Sequence, residues 1–127
     1  MPHPPIDLQI TFLYTPDLAQ TARFYEDIIG LELRLDQGTC RIYQVTQDGY
    51  LGFCQQAAVV PPAESSAPTV ILTIVTTHVD EWYQFLIDRD IRPEHAPAIN
   101  LDYDIYHFFL RDPNGHLLEF QQFLHPF

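Results

Sequence analysis

Positive charge is scarce in this chain of 127 residues: six Lys plus Arg stand against seventeen Asp plus Glu, for a formal net charge of −11. That balance repels nucleic-acid phosphates and anionic membrane headgroups, so neither is expected as a partner. It suits a cationic ligand, and it equally suits an acidic surface that keeps a protein in solution. Long apolar runs are missing as well: no stretch approaches the roughly 20 apolar residues that a membrane helix needs. Met1-Pro2-His3-Pro4-Pro5 has no basic segment leading into an apolar run, so no secretory signal is expected and a cytoplasmic location is. Cysteine is limited to Cys40 and Cys54, which lack metal-type spacing and read as reduced, structural thiols. A disulfide stays open should the two lie on paired strands. The chain also lacks a phosphate-binding glycine loop, a nucleophile elbow and a paired-cysteine metal knuckle.

What is present is a globular composition. Hydrophobic residues make up 46% and charged residues 18%, which excludes a disordered chain and leaves enough apolar surface for one ordinary domain. Ile6, Leu8, Ile10, Phe12 and Tyr14 alternate along one face of a strand. Thr15-Pro16-Asp17 reads as a helix start, with Thr15 as the cap and Pro16 at the first helical position. Leu18, Ala22, Tyr25 and Ile29 follow at helical spacing until Gly30 stops the helix. Short strands are predicted over 31–35, 40–45 and 50–54, the last two joined at Asp48-Gly49.

Residues 56–69 carry Pro61-Pro62, Ser65-Ser66 and Pro68 and read as a linker between modules of about 6–55 and 70–124. The second module repeats the order. A β-branched strand over 70–75 precedes a helix with Val79, Trp82, Tyr83, Leu86 and Ile87 on one stripe, and strands follow over 105–110 and 117–123. One more short strand is expected near the start of 94–104. Two such units with a period of about sixty residues indicate two fused modules within one domain over 1–127, not a solenoid.

Asp112-Pro113-Asn114-Gly115 is a hairpin turn in physical terms: Pro113 presets φ, Asn114 suits the third turn position, and Gly115 takes the left-handed conformation. The turn pairs Asp112 with His116, hence Phe109 with Glu119 and His107 with Gln121. At Asp48-Gly49 two registers are open. One puts Arg41 and Tyr43 on the face of Gly52, and the other puts Ile42 and Gln44 there.

Phe24-Tyr25-Glu26-Asp27-Ile28-Ile29-Gly30-Leu31, followed far downstream by Arg111-Asp112-Pro113-Asn114-Gly115-His116-Leu117-Leu118-Glu119, resembles the vicinal-oxygen-chelate superfamily of glyoxalases, bleomycin-resistance proteins and extradiol dioxygenases. The resemblance spans nearly the whole chain. It implies an α+β fold of two βαβββ modules that pair into a curled mixed sheet around a cavity, and a homodimer. It also implies, for metal-dependent members, a divalent ion held by the first and fourth strands of each module. Carried over, those positions are Ile10, Gly52, Ile71 and Glu119, and only the last has a lone pair to donate. No complete metal site, and no other cofactor, is therefore expected.

Glu119 has two readings, a leftover carboxylate satisfied by hydrogen bonds or the polar anchor of an apolar pocket beside Phe109, Phe12 and Ile10. His107 likewise reads as a satisfied core residue or as a ligand contact next to Gln121. His78 looks like a helix-cap residue, and His95 sits in a polar loop. Two functions follow. The first is a metal-independent protein that sequesters a small molecule, cationic or aromatic. The second is an enzyme, either a divergent lyase or dioxygenase or a metal-free isomerase with Glu119 and His107 as the catalytic pair.

Overall fold

Alternating residues over Gln9–Thr15 form the first strand, β1, which lies at one edge of a four-stranded sheet. The computed structural model describes residues 3–4, 6–56 and 70–126; most of the expected linker, residues 57–69, lies outside them. Two compact units divide the chain, Met1–Val60 and Pro61–Phe127.

In the first unit β1 leads to helix α1, Leu18–Ala22, which runs on as a wider π-helical segment, Arg23–Ile29. Strands β2 (Glu32–Asp36), β3 (Cys40–Gln44) and β4 (Gly49–Gln55) complete it, in the sheet order β1-β4-β3-β2. The edge strand β1 pairs with β4 in parallel, and the other pairs are antiparallel. The expected stripe Leu18, Ala22, Tyr25 and Ile29 is buried throughout. Tyr25 stacks on Phe53 with ring centroids 4.5 Å apart, so the helix packs on the sheet face that carries Tyr43 and Phe53.

Two local expectations change, and one open register is decided. The helix cap is Asp17, not Thr15: Asp17 Oδ1 accepts from Gln20 N at 3.0 Å, and Leu18 is the first helical residue. Thr15 is drawn inward because β1 continues through it, and its hydroxyl bonds Thr21 Oγ1 at 2.8 Å. Between β3 and β4 the register is the one with Ile42 opposite Gly52 and Gln44 opposite Tyr50. Val45 N and Thr46 N both donate to Gly49 O, at 2.8 and 3.2 Å, which makes the connection longer than a two-residue turn. Arg41 and Tyr43 therefore face the helix, where Tyr43 Oη donates to Glu26 Oε2 at 2.8 Å. Burial, and then this bond to a carboxylate, pushes the Tyr43 phenol well above its ordinary range. Finally, Cys40 and Cys54 lie directly opposite each other with Cα atoms 4.1 Å apart and are joined as a disulfide, not the reduced thiols their spacing suggests. Opposed positions on paired strands bring Cβ atoms to bridging distance.

The second unit repeats the plan with β5 (Ile71–Val75), α2 (Val79–Ile87), β6 (Ala98–Asn100), β7 (Ile105–Arg111) and β8 (Leu117–Phe123), ordered β5-β8-β7-β6. His78 is the residue before α2, and its Nδ1 lies 2.9 Å from Glu81 Oε1. Strand β6 falls in the middle of 94–104 instead of near its start, because Glu94 N donates to Phe109 O at 2.8 Å and holds the preceding loop along β7. The helix packs on one face of the sheet: Trp82 stacks on Phe120 at 4.8 Å, and Tyr83 meets Phe108 edge-on at 5.4 Å. Phe108, Leu110 and Phe120 are completely buried there.

The hairpin turn forms as its residues require. Asp112 Oδ1 accepts from Asn114 N at 2.8 Å and His116 N at 2.9 Å, and Gly115 has φ of 82°. Phe109 accordingly pairs with Glu119 and His107 with Gln121.

Candidate functional site

Period-two alternation sends every second residue of β7 and β8 away from α2. Ile105, His107 and Phe109 share that second face with Glu119, Gln121 and Phe123 on the neighbouring strand. Strand β5 adds Ile71 and Thr73, the latter placed opposite Glu119 by the parallel pairing of β5 and β8. A pocket of about 500 Å³ opens on this face. Its wall is mainly apolar and aromatic, with Ile71, Ile105, Phe109 and Phe123, while Asn100, Tyr103 and His125 contribute at its margin.

The polar floor of the pocket is one connected group. Glu119 Oε2 is 2.7 Å from His107 Nδ1, and Glu119 Oε1 accepts from Thr73 Oγ1 at 2.9 Å. Gln121, with its amide nitrogen turned towards the carboxylate, donates to both oxygens at 3.2 and 3.1 Å. His107, Glu119 and Gln121 are only 8%, 7% and 8% exposed, so these bonds replace water that the three side chains have given up. The His107 ring is held edge-on by Phe109, centroids 4.9 Å apart, and by His95 at 5.6 Å. A carboxylate bonded to one imidazole nitrogen fixes the ring's orientation and leaves the other nitrogen to do chemistry.

Of the predicted site residues, His107, Phe109, Glu119 and Gln121 come together here. Ile10 and Phe12 lie on β1 of the first unit. There Phe12 sits opposite Gly52, and a Cβ on Gly52 would fall 2.5 Å from the Phe12 ring. Thr73 and His95 were not anticipated. The signal for Thr73 was a single hydroxyl within the apolar run Ile71-Leu72-Thr73-Ile74-Val75, whereas His95 had none, since a backbone bond from its neighbour Glu94 puts it beside β7.

The donor set does not fit a family-type metal ion. Among the described residues no group of three or more His, Cys, Asp or Glu is placed to hold one. Gly52 is covered by a phenyl ring, and both Glu119 oxygens are already engaged.

Residues 8–120 match the family model described as the glyoxalase/bleomycin resistance protein/dioxygenase superfamily. Among solved structures, the chain is similar to lactoylglutathione lyase from Agrobacterium tumefaciens, with 24% identity, a TM-score of 0.73, and 94% of this chain and 96% of that one covered. It is also similar to a glyoxalase/bleomycin resistance protein/dioxygenase from Alicyclobacillus acidocaldarius, at 21% identity and a TM-score of 0.77, covering 94% and 92% of the two chains. A protein of the same description from Nocardioides gives 19% identity and a TM-score of 0.77, covering 100% and 89%. None of the curated proteins matches the sequence.

Proposed function

The chain belongs to the glyoxalase/bleomycin resistance protein/dioxygenase superfamily, and on that premise we propose that it is a small-molecule-binding protein whose site is the pocket of the second unit, working without a resident metal ion. The observation that carries this reading is the hydrogen-bonded group of buried Glu119, His107 and Gln121, joined by the exposed Thr73, beside an apolar and aromatic wall. A few placed polar atoms in a mostly apolar concavity are the usual means of orienting a small ligand, and about 500 Å³ is room for one. Phe109, Phe123 and Tyr103 favour an aromatic body, which stacks on such rings. Sequestration by a homodimer, in the manner of bleomycin-resistance proteins, is the form we assign to that binding.

Metal analysis of the purified protein is the first test. The expected result is no stoichiometric Ni, Zn, Mn or Fe; a tightly held equivalent of any of them would overturn the metal-free reading. Thermal-shift screening with planar aromatic compounds should give hits that Glu119→Gln and His107→Ala weaken.

The contact of 2.7 Å between His107 Nδ1 and Glu119 Oε2 favours a second reading, a metal-free enzyme. His107 Nε2 would take a proton from bound substrate while Glu119 orients the ring and stabilises the imidazolium. Exchange of substrate protons in heavy water, followed by NMR, would distinguish turnover from binding.

A further inference from the structure

A carboxylate offers about four lone-pair directions, and the four contacts at Glu119 use them. With the Gln121 amide nitrogen turned towards the carboxylate, Thr73 Oγ1 and Gln121 Nε2 reach Oε1, while His107 Nδ1 and Gln121 Nε2 reach Oε2, all between 2.7 and 3.2 Å. Glu119 is therefore an acceptor with its capacity filled by the protein. A metal ion or a ligand ammonium could bind it only by displacing one of these donors. The ligand-facing chemistry passes to the ring it holds. Because Oε2 accepts, Nδ1 carries the proton, and in a neutral imidazole that leaves a lone pair on Nε2. Nε2 has no hydrogen-bond partner among the described residues, although His107 is only 8% exposed and lines the pocket. Nε2 is thus an acceptor open to the pocket, where a ligand's donor can take the place of water.

We propose that the ligand of this pocket presents one weakly acidic O–H group, carried on an aromatic or enolic framework, to Nε2 of His107. This rests on the pocket being the binding site. A single hydroxyl has one proton for the one acceptor at His107 Nε2, whereas a primary ammonium brings three. An ether or ketone brings none, and sets lone pair against lone pair. The carboxylate behind the ring also stabilises the imidazolium that develops as the proton moves across, so the contact strengthens with the acidity of the hydroxyl. Phe109, edge-on to the His107 ring, supplies the apolar surface for the rest of the ligand.

The probes are 4-cyanophenol, its methyl ether and the benzylammonium ion, titrated into the whole chain by calorimetry and ultraviolet absorption. 4-Cyanophenol is expected to bind about tenfold tighter than the ether, the preference that one hydrogen bond in a largely apolar pocket confers. Its absorption should shift towards that of the phenolate. His107→Phe should remove the preference and keep the binding of the ether. Nitrogen-15 NMR of the unliganded protein should show His107 protonated at Nδ1 and not at Nε2, a readout independent of any probe or variant. Equal binding of phenol and ether, tighter binding of benzylammonium, or an Nε2–H tautomer would overturn the assignment of the ligand class while leaving the pocket standing. Failure of all three probes to bind would overturn the pocket reading itself.

Discussion

The ring of Phe12 fills the space that a side chain on Gly52 would need: a Cβ there would sit 2.5 Å from two atoms of the ring. Phe12 and Gly52 are opposite residues of a parallel pair, as Thr73 and Glu119 are in the second unit. One pair thus closes apolar on itself, and the other is a hydroxyl bonded to a carboxylate.

Gly52→Ala should consequently destabilise the protein by about 0.5–1.5 kcal/mol, because the half-exposed Phe12 ring must leave its rotamer to admit a Cβ. Phe12→Ala made together with Gly52→Ala should cost less than the two changes summed, because the clash is gone. Denaturant unfolding of the four proteins in a double-mutant cycle measures the coupling.

Glu119→Gln and His107→Ala are each expected to leave the fold intact, since the packing of Phe108, Leu110 and Phe120 against α2 is on the other face of the sheet. By contrast, Phe108→Ala should cost about 3–5 kcal/mol, the range for emptying a buried aromatic site. Circular dichroism and thermal unfolding separate the two classes. Loss of folding in both pocket variants would mark His107 and Glu119 as core residues only.

Tyr43 gives a prediction in pH. Its phenol is raised in the folded state, so the folded chain binds that proton more tightly than the unfolded chain does. The stabilisation is fully present below about pH 10, the ordinary tyrosine value, and is lost as pH rises through the folded-state value. Unfolding free energy should fall with alkaline pH less steeply in Tyr43→Phe than in the parent. Ultraviolet titration of the parent chain should show a late-ionising component that Tyr43→Phe diminishes.

The disulfide between Cys40 and Cys54 closes a loop with a sequence separation of 14. Reduction, or Cys40→Ser with Cys54→Ser, should lower stability by about 3 kcal/mol on the loop-entropy estimate. Thiol labelling under denaturing, non-reducing conditions should find both cysteines blocked. Two free thiols would restore the reduced reading that their spacing alone suggests.

Much of the site was legible because one short turn carries its geometry. Asp112, Pro113, Asn114 and Gly115 determine the offset of β7 against β8, and with it the pairs Phe109–Glu119 and His107–Gln121. Thr73 was not legible, since its place beside Glu119 comes from a parallel pairing between segments 46 residues apart, with no turn between them to count from. The β3–β4 register and the disulfide were hidden for a related reason: both depend on the length of the connection at Val45–Asp48, which Asp48-Gly49 by itself left open. At the first helix, Thr15 and Asp17 are both good caps by type, and only the extent of β1 decides between them.

The turn at residues 112–115 has one more consequence, for how this protein tolerates change. Insert or delete one residue there and every side chain of β8 beyond it trades faces: Phe120 would enter the pocket, and Glu119 would be pressed into the aromatic core beside Trp82. Spelling errors in the wall alter what the pocket prefers, whereas a frame slip of a single position in the turn erases the pocket and the core together. Along this hairpin the heritable quantity is a length, and variation is confined to substitution.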